Sequence, residues 1–305
     1  MSGAPADRST TASGVTSPIR RVQVLAHSGK SAAVELLDDL VPFLESRCDT
    51  VDVECDVLEF VAKRESSTND LPRPDLMVVL GGDGAMLSAV RAHASAPVPT
   101  VGINFGRVGF LASTPVTRWR EVLDGILAGH GIVEPRMRLS IRVPGLERPS
   151  VALNEVVISR ASEDAMLQIA LEVGGTWVTD YRSDGLILAT PSGSTAYSLS
   201  AGGPILAPTL LGVVATPICS QALSNRPLVL HPDSKCSVRV LNAGARAEVV
   251  VDGRRVGRLS AGDAVQVERH PEPYPLLTMP DLDPYRRLRE RLGWTGGVHE
   301  QGADA

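Results

Sequence analysis

Asp83 is the side chain around which chemistry can be organised. It stands in Gly81-Gly82-Asp83-Gly84-Ala85, directly after the apolar run Leu76-Met77-Val78-Val79-Leu80. Glycines lack the Cβ that keeps a ligand off the backbone, and the helix that must start behind them offers N–H groups to an anion, so phosphate is the natural guest. A carboxylate in such a cradle repels a polyphosphate unless a metal ion or a reacting hydroxyl lies between them. That combination points to phosphoryl transfer. The glycine spacing is not that of the dinucleotide fingerprint, and the Lys-Ser/Thr pair of a P-loop is missing. The bland alternative is a tight strand-to-helix turn in which Asp83 only caps the helix.

Two further stretches carry polar groups where burial would make them costly. Leu153-Asn154-Glu155-Val156-Val157-Ile158 places an amide and a carboxyl at the mouth of an apolar strand, which suits contacts to ligand hydroxyls or amines. A plain strand-end turn is the other reading. Tyr181-Arg182-Ser183-Asp184-Gly185 leads through an apolar strand at 185–190 into Pro191-Ser192-Gly193-Ser194-Thr195-Ala196-Tyr197-Ser198-Leu199-Ser200, with a short helix expected near Ser194 or Thr195. Hydroxyls and N–H groups presented together suit sugar and phosphate oxygens.

The elements that must position these residues fall into two textures. Arg21–Ala26 reads as a first strand. After Ser28-Gly29 a helix follows with Val34, Leu37, Val41 and Leu44 on one face. Val51, Val53 and Cys55 alternate as in a half-buried strand, and 75–80 is an unbroken apolar strand buried on both faces. The helix behind Asp83 runs through Met86, Leu87 and Val90 and stops before Pro97. A strand at 99–103 enters a glycine-rich loop, Asn104-Phe105-Gly106-Arg107-Val108-Gly109-Phe110-Leu111, read as a wall of the same cleft. Trp119, Val122, Leu123, Ile126 and Leu127 form a helix with Thr117 as cap and Gly129 as stop. This is the order of an α/β domain with a mainly parallel sheet, whose ligands sit at the carboxyl ends of the strands.

From about Arg138 short alternating segments take over: Gln168–Val173, Cys236–Val240 and Ala264–Glu268, as in antiparallel strands with one wet face. Ala247–Val251 and Arg254–Leu259 flank Asp252-Gly253, a hairpin signal because Asp-Gly suits a tight primed turn. Asp283-Pro284-Tyr285 opens a last helix through Leu288 and Leu292 that ends at Gly293. The expected organisation is a disordered tail at 1–19, an α/β domain at 20–135, a β-rich domain at 136–270, and a strap with its helix at 271–305 that packs back on the first domain.

Composition bounds the rest. The chain has 305 residues, 43% of them hydrophobic, and a formal net charge of -5, as in a soluble globular protein without the basic surface that holds a nucleic-acid backbone. No run is long enough to span a bilayer, so neither membrane nor nucleic acid is an expected partner. Cys48, Cys55, Cys219 and Cys236 show no C-x-x-C spacing and read as reduced thiols of a cytoplasmic protein. The first 19 residues hold no apolar secretory core. A transit peptide is the alternative there, against which Arg8 is the only basic residue before Arg20.

Gly81-Gly82-Asp83-Gly84, Asn154-Glu155, Ser183-Asp184-Gly185 and Thr190-Pro191-Ser192-Gly193-Ser194-Thr195-Ala196-Tyr197, in this order and at these separations, closely resemble the NAD kinase family over about residues 20–290. The resemblance implies ATP-dependent phosphorylation of NAD to NADP, an α/β N-terminal domain, a β-sandwich-like C-terminal domain and an active site between them. It implies a homodimer or homotetramer in which a neighbouring subunit completes part of the dinucleotide site. Asp83 matches the proton acceptor for the ribose 2′-hydroxyl, and Gly84 the point of close backbone approach. Asn154 and Glu155 match the pair that contacts the dinucleotide, Glu155 through ribose hydroxyls. Arg182 and Asp184 match a basic and an acidic contact, Asp184 to the nicotinamide carboxamide of NAD in an adjoining subunit. Thr195, Ala196, Tyr197, Ser198, Leu199 and Ser200 match the segment lining the adenosine end, and Phe105 the aromatic beside the adenine pocket. Mg²⁺ or another divalent cation is implied as a bridge between the β- and γ-phosphates, held mainly through ATP, with no protein metal ligand assigned. Polyphosphate stays open as an alternative donor.

Three positions depart from the family pattern. Ala85 stands where Thr is common, Gln221 where His is common, and Arg254 where a polar contact to the nucleotide is frequent; its side chain has a solvated hairpin residue as the alternative reading. Two other functions share parts of the pattern. A lipid kinase of the diacylglycerol or sphingosine type carries a similar glycine loop but needs an acyl tunnel or a basic amphipathic segment, and no such segment is evident. A catalytically silent NAD(P)-binding sensor would keep the site without turnover.

Overall fold

A computed structural model describes residues 18–27, 29–55, 60–61, 73–106, 109–161, 166–242, 246–282 and 284–294. The tail up to residue 17, Ser28, Arg107, Val108 and Asp283, all used in the sequence reading, lie outside the described residues. The chain divides into two compact units: 1–86, 98–135 and 275–305 form one, and 87–97 with 136–274 form the other.

The first unit is built on a 7-stranded sheet in the order Thr50–Glu54, Arg21–Ala26, Leu76–Leu80, Thr100–Asn104, Tyr274–Thr278, Ile132–Arg136, with Thr114–Pro115 also paired to Thr100–Asn104. Arg21–Ala26, Leu76–Leu80 and Thr100–Asn104 run parallel at its centre. Every residue of Leu76–Leu80 is buried, as an apolar run without alternation requires. Thr50–Glu54 is the edge strand, which is why its Val53 stays exposed.

Two helical expectations needed correction. The first helix is two, Ser31–Glu35 and Leu37–Glu45, broken at Leu36. The second buries Leu40 and Phe43 beside the expected Leu44, whereas Val34 is exposed and Val41 only half-buried. The ring of Phe43 sets that stripe by packing edge-on to Trp119, 5.2 Å between centroids. The helix Trp119–Leu127 is preceded by a 3₁₀ turn over Val116–Arg118, which places Arg118 rather than Thr117 at its N-cap; Gly129, with φ of 83°, closes it as expected.

The second unit is a sandwich of two 6-stranded antiparallel sheets. One runs Thr176–Ser183, Leu167–Val173, Cys236–Val240, Ala264–Arg269, Leu139–Arg142, Ser150–Ala152; the other runs Leu228–Leu230, Val213–Ile218, Gly185–Ala189, Glu155–Arg160, Arg246–Val251, Arg254–Ser260. Alternate residues of both sheets, among them Ile141, Ile169, Val238, Ile158, Leu188 and Val249, meet in a single apolar core. Cys236 lies in it, its thiol pushed up to about 11 by burial. Arg138 is fully buried in this unit. Its guanidinium donates to the carbonyls of Glu272 (2.8 Å) and Ala94 (2.7 Å) and reaches His270 Nδ1 at 3.1 Å. No helix among the described residues is long and apolar enough to cross a membrane.

Candidate active site

In the first unit the strand Leu76–Leu80 ends at Gly81-Gly82, and Asp83 is the first residue of the helix Asp83–Ala92. Around Gly82 and Gly84 no atom lies within 4 Å of where a side chain would begin, so the turn leaves room beside the carboxylate. The carboxylate itself is fixed. Phe110 N–H donates to Oδ2 at 3.0 Å, and Leu111 and Ala112 N–H donate to Oδ1 at 3.1 and 3.0 Å. A carboxylate offers about four acceptor sites. Among the described residues three are filled, and the one left is on Oδ2. Gly109 permits this approach, because a Cβ there would lie 2.0 Å from Asp83 Oδ1. Phe105 is partly buried against the core of the same unit. Ala85 is buried, so the departure from Thr places an apolar group where a hydroxyl would need a partner.

In the second unit a similar device appears at the mouth of the strand Glu155–Arg160. Asp252 accepts N–H bonds from Leu153 (2.7 Å), Asn154 (2.8 Å) and Glu155 (3.0 Å). The Asp252-Gly253 turn is the expected primed hairpin turn, with φ of 44° and 77°. Its acid does more than turn the chain: it ties the Arg246–Ser260 hairpin to Asn154 and Glu155. Arg91 adds a bond to the Asp252 carbonyl, 3.4 Å.

Glu155 is the electrostatic exception. It is 7% exposed, its Oε2 is buried without a hydrogen-bond partner, and its carboxyl is contacted by the main-chain N–H of Tyr197. Burial first and the neighbouring Asp252 second push it up to about 8. Burial also raises Asp252, against the pull of its three N–H donors and Arg91. Of the two, Asp252 has the donors that hold a negative charge.

The loop after Gly185–Ala189 folds differently from its composition. Thr190, Ser194 and Ser198 are fully buried, and their hydroxyls are spent internally: Thr190 Oγ1 on the Leu153 carbonyl (2.6 Å), Ser194 Oγ on the Pro191 carbonyl (2.6 Å), Ser198 Oγ with Thr216 Oγ1 (2.8 Å). Thr195 Oγ1 donates to the Ser192 carbonyl. These hydroxyls brace the loop rather than face outward. The main chain of Thr190 also bonds the Asn154 carbonyl, and a Cβ on Gly193 would lie 2.1 Å from that oxygen, so Gly193 lets the loop lie against Asn154. Ala196 and Leu199 are half-buried, and Tyr197 and Ser200 exposed.

Asp184 pairs with Arg160, 3.0 Å between Oδ1 and Nε. Arg182 is exposed, with its carbonyl bonded by the N–H of Gln221 (2.8 Å), and Arg254 is exposed at the hairpin tip. The structure therefore gathers Asn154, Glu155 and the 190–200 loop around one strand mouth, and gathers Asp83 with 109–112. Sequence reasoning read Gly109, Phe110 and Leu111 only as part of a cleft wall and Asp252 only as a turn residue; it did not foresee the main-chain donors at 110–112 or the bonds Asp252 accepts. An acid in an Asp-Gly pair carries no local sign that it grips another strand.

A fixed carboxylate with one acceptor site open among the described residues at the carboxyl end of a parallel strand, and a buried carboxyl at a sandwich strand mouth, are the equipment of an enzyme acting on alcohols and phosphates. Residues 25–131 match the family model of the ATP-NAD kinase N-terminal domain and residues 153–279 that of the ATP-NAD kinase C-terminal domain. The chain belongs to the ATP-NAD kinase family. It is 36% identical over 289 residues to an NAD kinase of Paraburkholderia phytofirmans, covering 92% of this chain and 95% of that one. It is 38% identical over 293 residues to an NAD kinase of Nitrosospira multiformis, covering 92% and 98%. Among solved structures, an Archaeoglobus fulgidus NAD kinase in complex with ATP aligns at a TM-score of 0.68 and 26% identity over 89% of this chain and 97% of that one. A yeast NADH kinase complexed with NADH shares the fold, with a TM-score of 0.76 at 23% identity over 93% and 91%. Membership in this family does not favour the lipid-kinase reading.

Proposed function

We infer that the chain transfers the γ-phosphoryl group of ATP to the 2′-hydroxyl of the adenosine ribose of NAD, giving NADP and ADP. The observation that carries the chemistry is the Asp83 carboxylate, fixed by three main-chain donors with one acceptor site unfilled among the described residues. That site takes the hydroxyl. As the ribose oxygen bonds to the γ-phosphorus its proton passes to Asp83, and the bond to the β,γ-bridging oxygen breaks with its electrons leaving on ADP.

Asn154, Glu155, the 195–200 segment, Gly84, Phe105, Arg182, Asp184 and Arg254 are the substrate contacts of this reading. Asp184, paired with Arg160, contacts the nicotinamide carboxamide of NAD in an adjoining subunit. A divalent cation such as Mg²⁺, held mainly through ATP, would supply charge neutralisation at the phosphates, with no residue of this chain assigned to hold it. Among the described residues no cluster of three or more His, Cys, Asp or Glu side chains could hold a metal ion. We place the protein in the cytoplasm as a homodimer or homotetramer; light scattering of the purified chain tests the assembly.

The test of function is incubation with NAD, ATP and Mg²⁺, with NADP read by an NADP-specific dehydrogenase. Asp83→Asn keeps shape but cannot take a proton, so turnover falls by about 10² to 10⁴ while NAD binding persists. No NADP under varied metal and donor conditions removes the kinase reading. Tight NAD binding without turnover would favour the sensor.

A further inference from the structure

The sheet of the first unit reverses its winding at one place. From Arg21–Ala26 the chain passes to Thr50–Glu54 on one side, then crosses to Leu76–Leu80 on the other side and on to Thr100–Asn104, all parallel. The intervening helices take opposite faces. Leu40, Phe43 and Leu44 pack with Val101 and Ile103, whereas a Cβ on Gly102 would lie 2.7 Å from Met86 Sδ, and alternation puts Gly102 on the other face. A sheet so wound opens a crevice at the carboxyl ends of the two strands between which the winding reverses, here Arg21–Ala26 and Leu76–Leu80. The Gly81–Gly84 turn is one wall of it. The other begins at His27.

His27 is joined to the glycine turn. Its N–H donates to the Leu80 carbonyl at 3.1 Å, and its Cβ lies 3.7 Å from where a side chain on Gly81 would begin. The side chain is exposed, and its ring is held: Gly29 N–H donates to Nδ1 at 3.1 Å, and a Cβ on Gly29 would lie 3.0 Å from Cε1, so the ring rests on the turn that follows it. With Nδ1 accepting, the proton of the neutral ring is on Nε2, which has no hydrogen-bond partner among the described residues. The only charged side chain in Gly81-Gly82-Asp83-Gly84-Ala85 is an acid, and the lysine of a P-loop is missing. A polyphosphate laid on this turn therefore needs a side-chain donor from outside it, and the crevice offers Nε2–H.

We propose that His27 is a contact of the donor nucleotide, its Nε2–H donating to an oxygen of the triphosphate laid across the Gly81–Gly84 turn. The proposal deepens the phosphoryl-transfer reading and rests on it. A bond to a charged acceptor is about twice as strong as a neutral one, so a single fixed donor has a measurable effect on ATP. The acceptor dinucleotide is held in this reading by Asn154, Glu155 and the 195–200 segment of the second unit, so His27 acts on the donor and not on NAD.

The experiment compares the full chain, wild type, with His27→Asn and His27→Gln. Asn keeps an oxygen where Nδ1 accepts from Gly29 and removes the donor at Nε2; Gln returns an amide N–H to a similar reach. Steady-state NADP formation with Mg²⁺ should show kcat/KM for ATP lower by about 10- to 100-fold in His27→Asn, as loss of one hydrogen bond to a charged group demands, and partly restored in His27→Gln. Calorimetric titration of NAD onto His27→Asn should give a Kd within about twofold of wild type, as for an exposed side chain outside the site of that ligand. An unchanged kcat/KM for ATP overturns the proposal. So does an NAD affinity that falls with it, which would put the dinucleotide's own pyrophosphate against His27.

Nitrogen NMR of the wild type labelled at its 6 histidines reads the same contact without turnover. The signal lost in either variant belongs to His27, and its Nε2 resonance should move on addition of ATP with Mg²⁺ and stay in place on addition of NAD. A resonance that ignores ATP overturns the proposal. The two readings fail separately. Lack of NADP formation by the wild type under every donor condition removes the function, whereas the imidazole signal reports on His27 and ATP alone.

Discussion

Gly109→Ala probes the Asp83 clamp without touching the carboxylate. The new Cβ would lie 2.0 Å from Oδ1, 2.7 Å from Cγ and 2.9 Å from Oδ2, whereas real Cβ contacts essentially never fall under 3.0 Å. Oδ1 must therefore retreat by about 1 Å, which takes bonds of 3.0 to 3.1 Å beyond the roughly 3.5 Å limit of a hydrogen bond. Bonds to a charged acceptor are worth about 1.5–3 kcal/mol each. Water reaches half-buried Asp83 and replaces part of the loss, so we expect a net destabilisation of about 2–4 kcal/mol, read by thermal or urea unfolding. A reacting group misplaced by about 1 Å costs on the order of 10² in rate. NADP formation by Gly109→Ala should fall by that factor, and the double variant with Asp83→Asn should be little worse than Asp83→Asn alone, because both changes remove one function. If Gly109→Ala turns over within about threefold of wild type, or if the two losses multiply, the clamped geometry is not the one used in catalysis.

Stability should also report on Glu155. Its folded position near 8 lies above the ordinary 4.5, so between those values the folded state binds more protons than the unfolded chain. Stability then falls as pH rises, by about 1.4 kcal/mol per unit and as much as about 5 kcal/mol in all; urea unfolding of Glu155→Gln should lack this slope. Arg138→Leu removes the guanidinium bonds to the carbonyls of half-buried Ala94 and of exposed Glu272, the latter also 3.0 Å from His270 Nδ1, and a loss of about 1–3 kcal/mol in unfolding free energy is expected. A drop under about 1 kcal/mol would show that these carbonyls find other partners.

What could be read locally was read because the cause is local. Leu76–Leu80 is apolar throughout because both its faces are covered, and the Asp252-Gly253 hairpin is visible because few residue pairs tolerate two positive φ angles. The strands Leu167–Val173, Cys236–Val240 and Ala264–Arg269 show their alternation because one face is wet; that they are consecutive neighbours in one sheet is not in the pattern. The helical stripe keeps the expected Leu44 but takes Leu40 and Phe43 rather than Val34 and Val41, because periodicity counts apolar residues, whereas an aromatic contact with Trp119 chose the face.

The residue types suited to phosphoryl transfer, and their order along the chain, were present in the sequence by itself: a carboxylate among glycines, an amide beside an acid, a hydroxyl-rich loop. Tertiary structure alone decided what each is bonded to. Asp83 finds its donors 27 to 29 positions away, and Asp252 finds its own 97 to 99 positions away. It turned the hydroxyls of Thr190, Ser194 and Ser198 inward and left Glu155 with an oxygen that nothing satisfies. The physical reason is that propensity and periodicity act over a few residues, whereas the partner of a buried polar group is whichever donor the packing of distant strands brings within about 3 Å.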